Sequence, residues 1–189
     1  MKIRPYTEKD RDDVRYICLN SDGPCDADEE GQHFLLTTYC DYYIEREQEN
    51  CFVCTDDDDR AVGYILCAQD FDRFWNTFLS DFYPRLDETT MSRQYAIEST
   101  VMHKKHKDEY PAHLHIDILP AYQRKGMGRK MTDTLLNHLK NKGVKGLMLC
   151  VWKHNKDGQR FYENYGFDHL DENESNIAFC INLQLEKSE

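Results

Sequence analysis

The stretch from Ala112 to Lys142 constrains this chain most. Ala112–Leu119 reads Ala-His-Leu-His-Ile-Asp-Ile-Leu, an alternating run that predicts a strand, and Pro120 ends it. Met127, Met131, Leu135, Leu136 and Leu139 then recur at helical spacing, which predicts a helix over 126–142 that Gly143 stops. Between them lies Gln123-Arg-Lys-Gly126-Met-Gly128-Arg-Lys. Glycines let main-chain N–H groups turn towards one point. A helix start leaves its first N–H groups unpaired and carries about half a positive charge. Strand, glycine loop and helix in this order make a pyrophosphate cradle, to which Arg124, Lys125, Arg129 and Lys130 add charge.

The rest of the chain mixes strands and helices. Residues 2–6 read as a first strand, Thr7 as an N-cap helped by Asp10, and Val14, Ile17 and Cys18 as the apolar stripe of a helix ending near Asn20. Residues 21–31 form an acidic Gly/Pro loop, and 32–47 a helix. Asn50–Thr55 and Ala61–Ala68 are strands joined by a solvated turn at Asp56–Asp59. Phe71, Phe74, Trp75, Phe78, Leu79 and Phe82 define a one-faced helix between Asp70 and Leu86. Packing on the core is its plainer reading, and an aromatic wall along a substrate cleft the alternative. A further helix over 87–98, a charged loop over 103–110, a strand over Gly146–Val151, a helix over Asp157–Tyr165 and strands over 167–170 and 176–185 complete the order. Hairpin and β-α-β connections together give an α/β or α+β class with a mixed sheet.

A length of 189 residues suits one domain, spanning 1–189. The start, Met1-Lys2-Ile3-Arg4-Pro5-Tyr6, lacks a signal-peptide core, and no apolar run approaches a membrane span, so the expectation is a soluble, cytoplasmic protein with no membrane partner. The net charge of −11 disfavours nucleic acid. Its distribution is uneven: Tyr122 to Lys156 holds nine basic residues against Asp133 alone, which suits a small anionic ligand or, equally, a lysine-studded solvent face. Cys18, Cys67, Cys150 and Cys180 sit in apolar runs and read as buried thiols. Cys51-Phe-Val-Cys54 lacks a second ligand pair, and neither His103-Lys-Lys-His106 nor His113-Leu-His115 fits a zinc pattern, so no metal site is expected.

Gln123, Gly126 and Gly128 match the Q/R-x-x-G-x-G/A acetyl-CoA motif, and Asn155, Phe161-Tyr162 and Gly166-Phe167 match a second feature of the same family, with Asn155 and Tyr162 seven residues apart. The chain thus resembles the GNAT superfamily of N-acetyltransferases. The Ile3-Arg4-Pro5-Tyr6 start, the insertion at 70–110 and His113-Leu-His-Ile-Asp-Ile-Leu-Pro further resemble bacterial acetyltransferases similar to the acetyltransferase-like domain of O-GlcNAcases. The resemblance implies a GNAT-like, mostly antiparallel mixed sheet flanked by helices. It implies acetyl-CoA as donor, an amine as acceptor, and a fold that often dimerises. Arg124, Lys125, Gly126, Met127, Gly128 and Arg129 would hold the CoA pyrophosphate, and the backbone of Ile118 and Leu119 would pair with pantetheine, provided the sheet splays between the strands at 113–119 and 146–151. Asn155 would bond the pantetheine arm, and Tyr162 would protonate the leaving thiolate. The alternative for Tyr162 is a core aromatic.

Strand alternation sets His115, Asp117 and Leu119 on one face, so His115 and Asp117 are the candidate general bases, with Glu98 a third; a structural His–Asp pair is the alternative. The acidic loop 22–30 and the aromatic segment 71–82 lie where this fold shapes its acceptor site. The leading function is direct acetyl transfer to an amine in a ternary complex. The competing one is a non-catalytic CoA-binding module.

Overall fold

The structure, a computed structural model, describes residues 1–184. Its strands are β1 (Lys2–Pro5), β2 (Phe52–Thr55), β3 (Ala61–Ala68), β4 (Ala112–Ile118), β5 (Gly146–Trp152), β6 (Asp168–Glu172) and β7 (Asn176–Asn182). They form one seven-stranded sheet in the order β1-β2-β3-β4-β5-β7-β6. Every neighbouring pair is antiparallel except β4 and β5, which are parallel, so the sheet is mixed as expected. Position 185 of the predicted last strand lies outside the described residues. Among the described residues, no helix is long and apolar enough to cross a membrane.

Helices cover both faces. On one side lie α1 (Arg11–Asn20), α2 (Glu29–Leu36), α3 (Tyr42–Arg46) and α4 (Phe71–Thr77). They bury Val14, Ile17, Tyr42, Tyr43, Phe74 and Phe78 against Tyr64 and Leu66 of β3. On the other, α7 (Met127–Asn141) and α8 (Lys156–Tyr165) bury Met131, Leu135, Leu139 and Tyr162 against Ile65 and Leu149. The predicted helix over 32–47 begins earlier, at Glu29, because the Asp28 carboxylate caps the Gly31 N–H at 2.9 Å. It passes through a π-helical turn at Thr37–Asp41 before α3, and Tyr42, Tyr43 and Ile44 are all buried.

The insertion is helical. Asp70 caps α4, whose aromatic stripe continues through a π-helical turn at Phe78–Phe82, and Phe71, Phe74, Phe78 and Phe82 are buried. The segment therefore takes the core role. After α5 (Ser92–Glu98) comes α6 (Val101–His106), in place of the charged loop expected over 103–110. Met102 and His103 turn inward there while Lys104 and Lys105 face solvent, so the basic residues mark one face of a helix. The predicted strand from Asn50 starts only at Phe52, since Gln48–Asn50 form a 3-10 turn.

The N-terminal strand is locked by one buried carboxylate. Asp10 accepts two bonds of 2.7 Å from the Arg4 guanidinium, and the Thr7 N–H and hydroxyl each reach it at 2.9 Å. Burial alone would raise its pKa, but the Arg4 and Thr7 bonds outweigh burial and hold it below the usual carboxylate range. Asp10→Asn is expected to cost about 3 kcal/mol at neutral pH, measured by urea denaturation. The carboxylate's contribution is present above the unfolded pKa of about 3.9 and is lost as the pH falls through the depressed folded value. The two proteins therefore converge in stability in acid; a difference that persists there would contradict the ionic origin.

Candidate active site

The β4–β5 seam opens into a cleft. The strands are in register only at Ala112↔Leu147 and His113↔Met148, whereas β4 stays paired with β3 as far as Ile118. The Leu119 N–H donates to the Val62 carbonyl at 3.0 Å, so by alternation the polar groups of Ile116 and Ile118 turn to the open side. A cleft of about 830 Å³ lies there, lined by Ile118, Gly126, Gly128, Asn155 and Tyr162 among others. Leu119 does not line it. Both its main-chain groups are engaged, the N–H with Val62 and the carbonyl with the Tyr122 N–H at 2.8 Å.

At one end of the cleft the chain turns from β4 into α7. Arg124 and Gly126 both adopt left-handed backbone, with φ of 60° and 77°. Such alternation of hand points successive N–H groups into one concavity. The first main-chain bond closing α7 runs from the Lys130 N–H to the Gly126 carbonyl at 3.3 Å, leaving the earlier helix N–H groups to the cleft. A Cβ on Gly126 would meet nothing within 4 Å, so the glycine serves the backbone conformation. At Gly128 a Cβ would sit 3.3 Å from the Phe161 ring, so that glycine permits close packing of α8 on α7.

The cations are distributed around this concavity. The Arg124 guanidinium pairs with Asp157 at 2.6 Å, and Arg160 reaches the same carboxylate at 3.0 Å; all three line the cleft. Arg129 donates to the Asn164 carbonyl and lies over the Tyr165 ring. Lys125 folds back onto the Ala121 carbonyl and the Tyr122 ring and does not line the cleft. Met127 is buried beneath the turn, and Gln123 donates to the carbonyls of Ile118 (2.8 Å) and Ser21 (3.0 Å). Asn155 caps α8, its Oδ1 accepting the Gly158 N–H at 2.7 Å, and lines the cleft.

Two ionisable groups face the cleft where the strands part. Asp117, on the α1 side of the sheet, accepts a 2.5 Å hydrogen bond from the Tyr64 hydroxyl. Burial pushes its carboxyl up to about 6, against the Tyr64 hydrogen bond and the nearby Ser21 side chain, and the nearby Asp22 charge adds to the rise. Tyr162 projects from α8 on the other side. Burial, then the Asp117 charge, lift its phenol above the ordinary 10. Its hydroxyl makes no hydrogen bond to any described residue.

His115 is placed differently from the expectation of a shared cleft. Alternation does set it on the Asp117 face, but it does not line the cleft. Its Nε2 lies 3.0 Å from the Tyr43 hydroxyl, which is also 3.0 Å from Nε2 of His113, and Tyr39 packs edge-on at 5.4 Å. The Tyr43 proton can serve only one of these imidazoles, so the hydroxyl donates to one and accepts from the other. Burial pushes the His115 imidazole down to about 3. Glu98 is exposed on α5, bonded to Gln94, and also does not line the cleft.

Sequence reasoning missed Ser21, Asp157 and Arg160. The last two had a signal, because Asp157, Arg160, Phe161, Asn164 and Tyr165 follow helical spacing and together line the cleft. Ser21 had none, since it reaches the cleft from the far end of α1, whereas Asp22 belongs to the acidic loop 22–30 expected at the acceptor side.

Comparisons with known proteins agree with this architecture. The chain is similar to the crystal structure of SsHAT, with 25% identity, a TM-score of 0.84, and 97% of this chain and 98% of that one covered. It is also similar to PH1933 from Pyrococcus horikoshii, at 18% identity and a TM-score of 0.66 over 97% and 99% of the two chains. PaiA N-acetyltransferase from Thermoplasma acidophilum, solved in complex with coenzyme A, matches at 18% identity and a TM-score of 0.62 over 96% and 98%. These last two likenesses speak to the fold alone. Residues 16–167 match the family model described as the Acetyltransferase (GNAT) family, and the chain belongs to that family of N-acetyltransferases, with acetyl-CoA as its acyl donor.

Proposed function

We propose that residues 1–189 act as one acyltransferase domain that moves the acetyl group of acetyl-CoA directly to an amine, with Asp117 as general base and Tyr162 as general acid. The observation that carries this reading is that Asp117 and Tyr162 approach one cleft from opposite faces of a splayed sheet, beside the glycine turn into α7. The donor fits these residues. The concavity at 124–129 supplies N–H groups and arginines for phosphate, the edge of Ile116 and Ile118 offers strand-like pairing to the pantetheine amides, and the Asn155 side chain lies along the same cleft.

In the reaction, the acceptor nitrogen bonds to the thioester carbonyl carbon and the carbon–sulfur bond breaks. Asp117 takes the proton that the nitrogen loses. A carboxylate near 6 is mostly ionised at neutral pH yet basic enough to hold that proton. Tyr162 stays neutral through the working range and donates to the departing sulfur, passing its proton as the thiolate forms. His115, pushed down to about 3, serves as a neutral packing and hydrogen-bonding group. The shared N-terminal motif, the insertion at 70–110 and the β4 sequence support grouping the chain with bacterial acetyltransferases similar to the acetyltransferase-like domain of O-GlcNAcases.

Calorimetric titration with acetyl-CoA, followed by thiol release against a panel of primary amines, tests the reading. Gly126→Glu is expected to weaken acetyl-CoA binding at least about 100-fold, because a carboxylate placed near the phosphates in a partly desolvated site opposes them by several kcal/mol. Affinity equal to wild type would remove the phosphate cradle. Binding with no thiol release on any amine would favour the non-catalytic module.

A further inference from the structure

The donor turn and the loop after α1 are joined by one side chain. The Gln123 carboxamide has two N–H bonds, and both are used, one on the Ile118 carbonyl at the open edge of β4 and one on the Ser21 carbonyl 102 positions away. Gln123 itself is exposed, so the core does not require this bridge. The other main-chain hydrogen bonds of residues 21–28 stay local. The Gly23 and Cys25 N–H groups bond Asn20 at the end of α1, and the Ala27 and Asp28 carbonyls accept from Gln32 of α2. Gly23 sits at φ +123°, and a Cβ there would meet nothing within 4 Å, so the glycine serves the backbone conformation of the loop rather than packing. Beyond its flanking helices, the loop's main chain is therefore held to the sheet through Gln123, among the described residues.

What this loop carries gives the bridge its meaning. Ser21 and Asp22 line the cleft beside Asp117. We propose that Gln123 is the positioning residue through which donor binding sets the acceptor-side loop at 21–28. This rests on the reading of the cleft as the donor site. Phosphate drawn into the concavity at 124–129 fixes the turn that begins at Gln123. A fixed carboxamide holds the Ser21 carbonyl, and with it the Ser21 hydroxyl and the Asp22 side chain beside the base. The acceptor side is then completed only once the donor side is filled.

Hydrogen exchange of the full chain, with and without saturating acetyl-CoA, tests the coupling. The Gly23 and Cys25 amides are the reporters. In the wild type, acetyl-CoA is expected to slow exchange over 21–28 by about fivefold, the worth of one hydrogen bond. Gln123→Met keeps the side-chain volume without N–H donors. At saturating acetyl-CoA its donor-dependent slowing is expected to fall below about twofold, and Gln123→Arg, which restores several donors, to recover it. A purely structural role would change exchange equally with and without acetyl-CoA, leaving the difference intact. An undiminished response in Gln123→Met, or an unresponsive loop in a wild type that binds acetyl-CoA, overturns the coupling alone. A wild type that fails to bind acetyl-CoA in calorimetry overturns the donor-site reading and this inference together.

Discussion

Tyr162→Phe is expected to lower the turnover of acetyl transfer by about 10²–10³-fold while leaving acetyl-CoA affinity within about threefold. The substitution removes only the hydroxyl. The ring keeps its packing against Phe161, Phe167 and Phe179, with centroids 5.2, 5.5 and 5.8 Å away, and no hydrogen bond to a described residue is lost. What disappears is the donor aimed at the departing sulfur, a contact that strengthens as negative charge develops there and therefore acts on turnover more than on binding. Equal turnover in the two proteins would remove Tyr162 as the acid. Since burial and then the Asp117 charge lift its phenol above 10, no alkaline fall in rate below that pH is assigned to Tyr162.

The second large effect belongs to Asp117. With any amine that the wild type acetylates, the rate is expected to rise with pH through about 6 and then level, and Asp117→Asn to lose that limb along with about 100-fold in turnover. The same change should stabilise the fold. The Asp117 pKa is raised in the folded chain, so between about pH 4 and 6 the folded state binds more protons than the unfolded state. Stability therefore falls as the pH rises across that window, and the full cost stands above it. At about 1.4 kcal/mol per pH unit, a rise from 3.8 to about 6 sets an upper bound near 3 kcal/mol. Asp117→Asn is expected to recover about 1–3 kcal/mol in urea denaturation above pH 7 and nothing below pH 4. Loss of activity with gain of stability would mark a buried charge kept for chemistry. A variant with an unaltered acidic limb would exclude Asp117 as the base.

The parts of the site that are local in sequence were the legible ones. The glycine turn from β4 into α7 is written within a few residues, and the aromatic stripe of α4 shows its buried face by spacing alone. His115 illustrates the limit. Alternation assigns its face correctly, but its hydrogen bonding depends on Tyr43, 72 positions away, brought close by the π-helical turn before α3. Gln123 is similar, since its motif position is evident while its second partner, Ser21, comes from another element altogether. The helix α6 was hidden for a different reason. His103 is a buried residue of polar type, so counting it with Lys104 and Lys105 erased the inward face.

The splay of β4 from β5 also changes how many open borders the sheet has. An ordinary open sheet has two free borders, and here both are guarded: Lys2, Arg4 and Pro5 stand on β1, and Asp168, Asp171 and Glu172 on β6. The splay adds a third border in the middle, where Ile116 and Ile118 carry no charge. Charge there would repel strands from other molecules but would also obstruct a slender amide-bearing ligand. That border is left uncharged and open to an extended, amide-bearing chain, the kind of ligand that the proposed donor role requires.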